Sequence, residues 1–201
     1  MQRISFILIV LYLFFIGCSR KRLSQDELTA FVADESNGLS KSVTAGKNTT
    51  VRVTYRPTDL WVYQELGDVK VTSAQVDSIR RKYSQYLYFI MSLSSNDKEA
   101  LHQIASDQYS DLVQTLSFRM SNYVTLTTSV NDTIPVGDFM LNRTYGMSNS
   151  TDLLFVFNRE KTKDTDWVQF NLNEFGLGIG NQRFRFDMHT LENVPEVAFK
   201  D

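Results

Sequence analysis

A single cysteine governs how this chain can be held together. Cys18 is the one thiol in 201 residues. The body that follows it therefore has no disulfide, no thiolate nucleophile and no cysteine-ligated metal. The fold must rest on buried apolar surface. Hydrophobic residues make up 42% of the chain and aromatic residues 12%, enough for a core at this length and too much for a disordered polymer. A formal net charge of −2 leaves no electrostatic footprint for nucleic acid. One domain is the expectation for a chain of this size.

The same cysteine ends the N-terminal apolar run. Met1-Gln2-Arg3 is a short positive start, residues 4–16 are almost entirely apolar, and Gly17-Cys18 follow. Such a run suits the core of an export signal and falls short of the roughly 20 residues that span a bilayer. Phe15-Ile16-Gly17-Cys18 resembles the lipobox of bacterial lipoproteins, in the looser form common in Bacteroidota-type proteins. Phe15 stands where leucine or a close relative is usual.

The resemblance implies a lipoprotein signal peptide over residues 1–17, cut before Cys18, and acyl chains such as palmitate on the cysteine. Residues 18–25 then form a lipidated tether, and two or more chains give stable anchoring. A plain secretory signal or an uncleaved anchor is the rival, favoured by the charges of Arg20, Lys21 and Arg22. In this family an acidic cluster after the cysteine accompanies export to the cell exterior. Ser19-Arg20-Lys21-Arg22 replaces it here, so the resemblance implies an outer-membrane protein facing the periplasm. The body looks like the uncharacterised lipoproteins of such genomes, a likeness that carries no activity.

Residues 26–201 read as a single α+β domain: an antiparallel-rich sheet with helices packed on one face. Ser24 can cap a short helix with Asp26 and Glu27 in its first turn and Leu28, Phe31 and Val32 on its apolar face. Strands are expected at 39–44 and 49–56, joined by a turn at 45–48. Pro57 opens a helix at 58–66, which Gly67 ends. Thr72 and Gln75 form a capping box for a helix at 73–86 whose stripe is Val76, Ile79 and Tyr83. A buried strand at 88–94 and helices at 96–105 and 107–120 follow. Strands are then expected at 123–129, 136–145, 153–158, 167–172 and 183–189. Neither a repeat nor a long linker marks a second domain.

Motifs for chemistry are sparse. Gly176-Leu177-Gly178-Ile179-Gly180 has neither the spacing of a dinucleotide fingerprint nor the lysine of a phosphate loop, and reads as a flexible hairpin connection. Asp34-Glu35-Ser36-Asn37-Gly38 lacks the spacing of a calcium loop. His102 and His189 have no metal partner at helical spacing, and no Gly-x-Ser-x-Gly elbow nominates a serine. No cofactor is expected. Asp152, Asp164, Asp166, Glu174, Asp187 and Glu192 are scattered carboxylates, two of which could meet across a cleft as a glycosidase requires. Arg80, Arg81 and Lys82, with Arg183 and Arg185, read as solvated faces. Tyr83, Tyr86, Tyr88 and Phe89 read as core, while Trp61 and Trp167 are candidates for a contact surface. Asp77-Ser78-Ile79 and Asp132-Thr133-Ile134 resemble a short O-glycosylation motif of Bacteroidota-type exported proteins, Thr133 being the better placed.

Three functions stay open. The first is a non-enzymatic, lipid-anchored envelope protein that binds a neighbouring envelope protein or supports an assembly. The second is a small-ligand or glycan-binding module, for which a concave pocket holding Trp61 or Trp167 would speak. The third is a carboxylate-dependent hydrolase, which needs two acidic groups in one cleft.

Overall fold

The computed structural model describes residues 21–104, 106–145 and 147–200. The expected signal segment, residues 1–17, and Cys18 lie outside them, as do the side chains of His102 and Ser106. In chain order the elements are β1 (Arg22–Leu23), α1 (Gln25–Ala33), β2 (Ser40–Ala45), β3 (Thr49–Tyr55), α2 (Thr58–Leu66) and α3 (Ser73–Tyr83). Next come β4 (Tyr86–Ser95), β5 (Lys98–Glu99), α4 (Ser106–Phe118), β6 (Val124–Thr128), β7 (Thr133–Pro135) and β8 (Asp138–Asn142). The last are β9 (Thr151–Asn158), β10 (Trp167–Leu172), β11 (Gln182–Asp187), α5 (Met188–Glu192) and β12 (Glu196–Val197).

The expected α+β architecture with antiparallel sheets is found: all strands but β1 and β12, which form a small parallel pair, divide into two antiparallel sheets. The larger runs β2-β3-β4-β9-β8, with β5 hairpinned onto β4. The smaller runs β11-β10-β6-β7. Alternation decides what faces inward. Leu87, Phe89, Met91 and Leu93 of β4 and Leu153, Phe155 and Phe157 of β9 point into the core. Val168, Phe170, Leu172, Phe184 and Phe186 of the smaller sheet meet them there. The rings interlock across the gap: Phe89–Phe186 centroids lie 5.1 Å apart, Phe155–Phe170 5.5 Å and Phe89–Phe170 5.8 Å. Phe89, Phe155, Phe157, Phe170 and Phe186 have no exposure, and each such side chain contributes about 2–3 kcal/mol of transfer free energy.

The helices divide by the surface they bury. α1 sends Leu28 and Val32, α4 sends Leu112 and Leu116, and α5 sends Met188 and Leu191 into this main core. α2 and α3 share a smaller cluster with Val62, Val71 and Val76, and α2 also sends Leu60 into the main core. Both expected caps are present: Ser24 with Glu27 on α1 and Thr72 with Gln75 on α3.

Several elements differ from expectation for identifiable reasons. The helix expected at 96–105 is a tight turn, the strand β5 and one helical turn at Ala100–Gln103. Asn96 and Asp97 both take positive φ, 52° and 58°, the geometry of a two-residue hairpin that folds Lys98 back onto Ser95. α3 stops at Tyr83, so β4 starts at Tyr86. The strand expected at 136–145 is β8 alone, preceded by the separate β7, which ends at Pro135 because proline cannot donate to a ladder. β11 stops at Asp187, whose carboxylate accepts the Thr190 N–H at 2.8 Å and starts α5. His189 therefore lies on a helix. Arg22 and Leu23, expected to be part of a tether, form a strand instead: β1 pairs in parallel with β12. Glu196 N–H donates to Lys21 O at 3.0 Å and Ala198 N–H to Leu23 O at 2.8 Å.

Candidate interaction face

The larger sheet has a second face, and it is only half covered. β4 and β9 read Tyr-Leu-Tyr-Phe-Ile-Met-Ser-Leu and Thr-Asp-Leu-Leu-Phe-Val-Phe, close to continuous apolar runs. A central strand facing water on one side alternates instead, and a run apolar on both faces belongs to a sheet covered on both. Leu87, Phe89, Leu153 and Phe155 serve the core. Tyr86, Tyr88, Ile90, Leu154 and Val156 point the other way. The register sets them side by side: Ile90 opposite Leu154, Leu154 opposite Met140, and Tyr88 opposite Val156. Ile90, Leu154, Val156 and Met140 belong to neither core cluster. Met140 is 60% exposed and Tyr86 40%. Arg52, Ser92, Asp152 and Asn142 form the adjoining polar row.

α2 and α3 cover the Tyr88 end of this face. Trp61 packs on Tyr88 with centroids 5.1 Å apart and stacks on Tyr83 at 5.8 Å and 17°. The Arg56 guanidinium lies 4.5 Å over the indole and donates from Nη2 to Gln64 Oε1 at 2.9 Å. Burial, with Tyr83 and Tyr86 alongside, pushes the Tyr88 hydroxyl up to about 12, so it stays protonated. Trp61 is thus half-buried mortar between helix and sheet, and its indole N–H is buried rather than offered to solvent.

The helical pair is fixed by a buried ion pair. Asp59, in the first turn of α2, is 6% exposed. Its two oxygens accept Arg80 Nε and Nη2 of α3, both at 2.8 Å, and Oδ2 also accepts the Val197 N–H of β12 at 2.8 Å. Arg80 therefore does not belong to a solvated face, which corrects the reading of the Arg80-Arg81-Lys82 cluster; Arg81 and Lys82 are exposed.

Beside this pair the surface is concave. A cleft of about 280 Å³ is lined by residues that include Tyr55, Asp59, Arg80, Arg159, Glu192 and Glu196. An adjoining hollow of about 400 Å³ shares Arg159 and Glu192 and adds Gln85, Tyr86, Asn158 and Lys163. Three carboxylates thus share one cleft, but each is matched by a guanidinium. Arg80 holds Asp59 and stands 3.7 Å from Glu196, and Arg159 stands 3.4 Å from Glu192. Neither tryptophan lines these hollows.

The other candidate residues do not converge. Trp167 lies on the outer face of the smaller sheet beneath Arg185, whose guanidinium stacks 3.9 Å over the indole. Arg185 also donates to Gln169, so the surface there is a flat polar ladder rather than a pocket. Arg183 is exposed on the same face. Asp152 accepts Ser150 Oγ at 2.7 Å, Asp187 caps α5, and Asp164 sits in a turn with φ 62°. Asp166, exposed, pairs its backbone with Ser129 and Met188. Asp34 closes its own loop by accepting Ser36 N–H. Thr133 is exposed on β7 rather than in a loop, and Ser78 is exposed on α3. Among the described residues, no group of three His, Cys, Asp or Glu side chains could hold a metal ion.

Glu174 has a role that sequence reasoning missed. Its carboxylate accepts the N–H groups of Phe175, Gly176 and Gly178 on Oε1 and of Gly180 on Oε2. The glycine-rich segment is therefore wound around an internal anion instead of being a flexible connection. Positive φ at Gly176, Gly178 and Gly180, 105°, 73° and 65°, turns the amides inward. The signal lay in the glutamate preceding the glycines. Partial burial opposes the charge, but the backbone donors outweigh it and hold the carboxyl below its ordinary 4.5. A lowered folded-state pKa means the stabilisation is complete above the unfolded value and is lost as pH falls through the folded one. Glu174→Gln is expected to lose about 1–2 kcal/mol at pH 7 and to flatten the acid limb of stability below about pH 4.5. Urea unfolding of both proteins from pH 7 to pH 3 checks this.

No protein-family model matches the chain, and no curated protein matches it. Among solved structures, a crystal structure of a novel protein of unknown function from Burkholderia pseudomallei is similar over 86% of this chain and 94% of that one. The identity is 9% and the TM-score 0.40, a likeness that carries no argument about fold or activity.

Proposed function

We propose that this is a lipid-anchored cell-envelope protein whose body binds a neighbouring envelope protein without catalysis of its own. The anchor rests on the lipobox resemblance at Phe15-Ile16-Gly17-Cys18. It agrees with the described residues, where no helix is long and apolar enough to cross a membrane. The absence of an acidic cluster after Cys18 favours the outer membrane, facing the periplasm. The observation that carries the binding role is the uncovered half of the larger sheet, where Ile90, Leu154, Val156 and Met140 lie outside both cores. An apolar centre beside a polar row is how a docking surface is built.

The ligand-binding reading has one observation in its favour. The hollow of about 400 Å³ sets Tyr86 beside Gln85, Asn158, Arg159 and Lys163, an aromatic ring with convergent hydrogen-bonding groups. Screening of glycans and metabolites against the purified body separates the two.

Metabolic labelling with an alkyne fatty acid tests the anchor. The full-length protein is expected to incorporate label and fractionate with membranes, and Cys18→Ala is expected to lose both. Unlabelled wild-type protein in the soluble fraction would overturn the anchor.

A further inference from the structure

We infer that the end of the body carrying β1 and β12 rests on the phospholipid headgroups of the leaflet that holds the Cys18 lipid, kept there by the shortness of the connection; the inference rests on the lipid anchor proposed above. The fold begins almost at the cysteine. Lys21 O accepts the Glu196 N–H at 3.0 Å, and Arg22 and Leu23 pair with Glu196 and Val197. Only Ser19 and Arg20 separate Cys18 from Lys21. Three residue steps span at most about 11 Å when fully extended. The headgroup layer of a bilayer is itself about 5–8 Å deep, so no hydrated stalk fits between it and the fold. A body of this size has a radius of gyration of about 16 Å. The connection is shorter than that, too short for the body to turn its other end to the membrane.

The topology says which end is held. β12 is tied to the start of α2, where Asp59 Oδ2 accepts the Val197 N–H at 2.8 Å, and Tyr55, Pro57 and Asp59 line one cleft with Glu196. The junction therefore lies at the Tyr55 end of β3. The turn that holds Gly46 and Lys47 lies at the Thr49 end, about 20 Å further along the strand. There it meets the turn between β4 and β5, where Asn48 Nδ2 donates to Asn96 Oδ1 at 2.6 Å. The surface at the junction carries both signs of charge. Lys21 acts on Glu27 in the first turn of α1, with Asp26 alongside. Arg22 lines a hollow of about 230 Å³ with Ser73, Asp77 and Glu196. A zwitterionic headgroup presents a phosphate and an ammonium, and this mixture offers hydrogen-bonding partners of opposite charge to each.

Fluorescence quenching tests this on the full-length lipidated protein, reconstituted into phosphatidylcholine and phosphatidylethanolamine vesicles with a nitroxide on some of the headgroups. The body has no thiol after Cys18, so one introduced cysteine carries the fluorophore. It is Asp26→Cys at the junction end or Lys47→Cys at the other, both exposed positions. The nitroxide is expected to quench the probe at position 26 at least fivefold more than the probe at position 47. A Gly/Ser insert of about 20 residues between Arg20 and Lys21, with a root-mean-square reach of about 25 Å, is expected to bring the two within twofold of each other. Equal quenching without the insert, or stronger quenching at position 47, in protein that floats with the vesicles would overturn the inference and leave the anchor standing. A full difference that survives the insert would overturn the short connection as its cause. Protein that does not float with the vesicles would remove the anchor and the inference with it.

Discussion

Phe170→Ala is expected to destabilise the body by about 3–5 kcal/mol. Phe170 sits where the two sheets meet, with ring centroids 5.8 Å from Phe89, 5.5 Å from Phe155 and 6.1 Å from Phe157. All four rings are fully buried, and the facing strands belong to different hydrogen-bonded ladders, so neither sheet can close the void by sliding. The loss combines the transfer free energy of the ring with the contacts its neighbours forfeit around the cavity. For a chain of this length each kcal/mol lowers the melting temperature by about 2–4 °C, so a drop on the order of 10 °C is predicted. Thermal and urea unfolding check it. A change under about 1 kcal/mol would mean that the sheets do not pack through this residue.

Asp59→Ala is the second large effect, at about 3 kcal/mol. The substitution leaves the Arg80 guanidinium without its bidentate acceptor and strands the Val197 N–H, which Asp59 Oδ2 accepts at 2.8 Å. A buried ion pair adds little over apolar groups of the same shape, whereas removing one partner is costly because the other remains. Asp59→Leu with Arg80→Met is therefore expected to be less damaging than Asp59→Ala alone. The effect has an address as well as a size. Val197 belongs to β12, which pairs with β1 at the start of the described chain. In Asp59→Ala the Val197 amide is expected to lose protection against hydrogen exchange, while the amides of β4 keep theirs relative to global stability. A uniform loss across both strands would show that the pair serves the whole fold rather than the β1–β12 junction.

Much of this was legible in the sequence where local chemistry decides structure. Thr72 and Gln75 announce the start of α3 because a capping box satisfies its own donors within four residues. Pro57 and Gly67 bracket α2 for equally local reasons. Thr50 to Tyr55 alternate because one face of β3 is buried. The helix expected at 96–105 failed because the positive φ of Asn96 and Asp97 outweighs the helical content of the residues that follow. β1 and β12, each two residues long, carry no period at all; partners far apart in the chain create them. The same limit hid the site. The sequence of β4 shows that Ile90 and Tyr88 share a face, but only the register opposite β9 and β8 joins them to Leu154, Val156 and Met140. Asp59 and Arg80 are 21 positions apart, and nothing in either neighbourhood marks them as partners. Trp61 is a large aromatic among polar residues, and one of them, Arg56, folds over its ring and is held there by Gln64.

The most direct test of the account is quantitative cross-linking of the tagged, full-length protein in cells, with mass spectrometry of what co-purifies. Wild type is compared with Cys18→Ala and with Met140→Asp/Leu154→Asp, whose folding is confirmed by an unchanged thermal transition. One dominant envelope protein is predicted in the wild type, reduced at least tenfold in the face variant and reduced in the unanchored one. The same partner recovered undiminished from the folded face variant would contradict the account and move the binding surface elsewhere on the molecule.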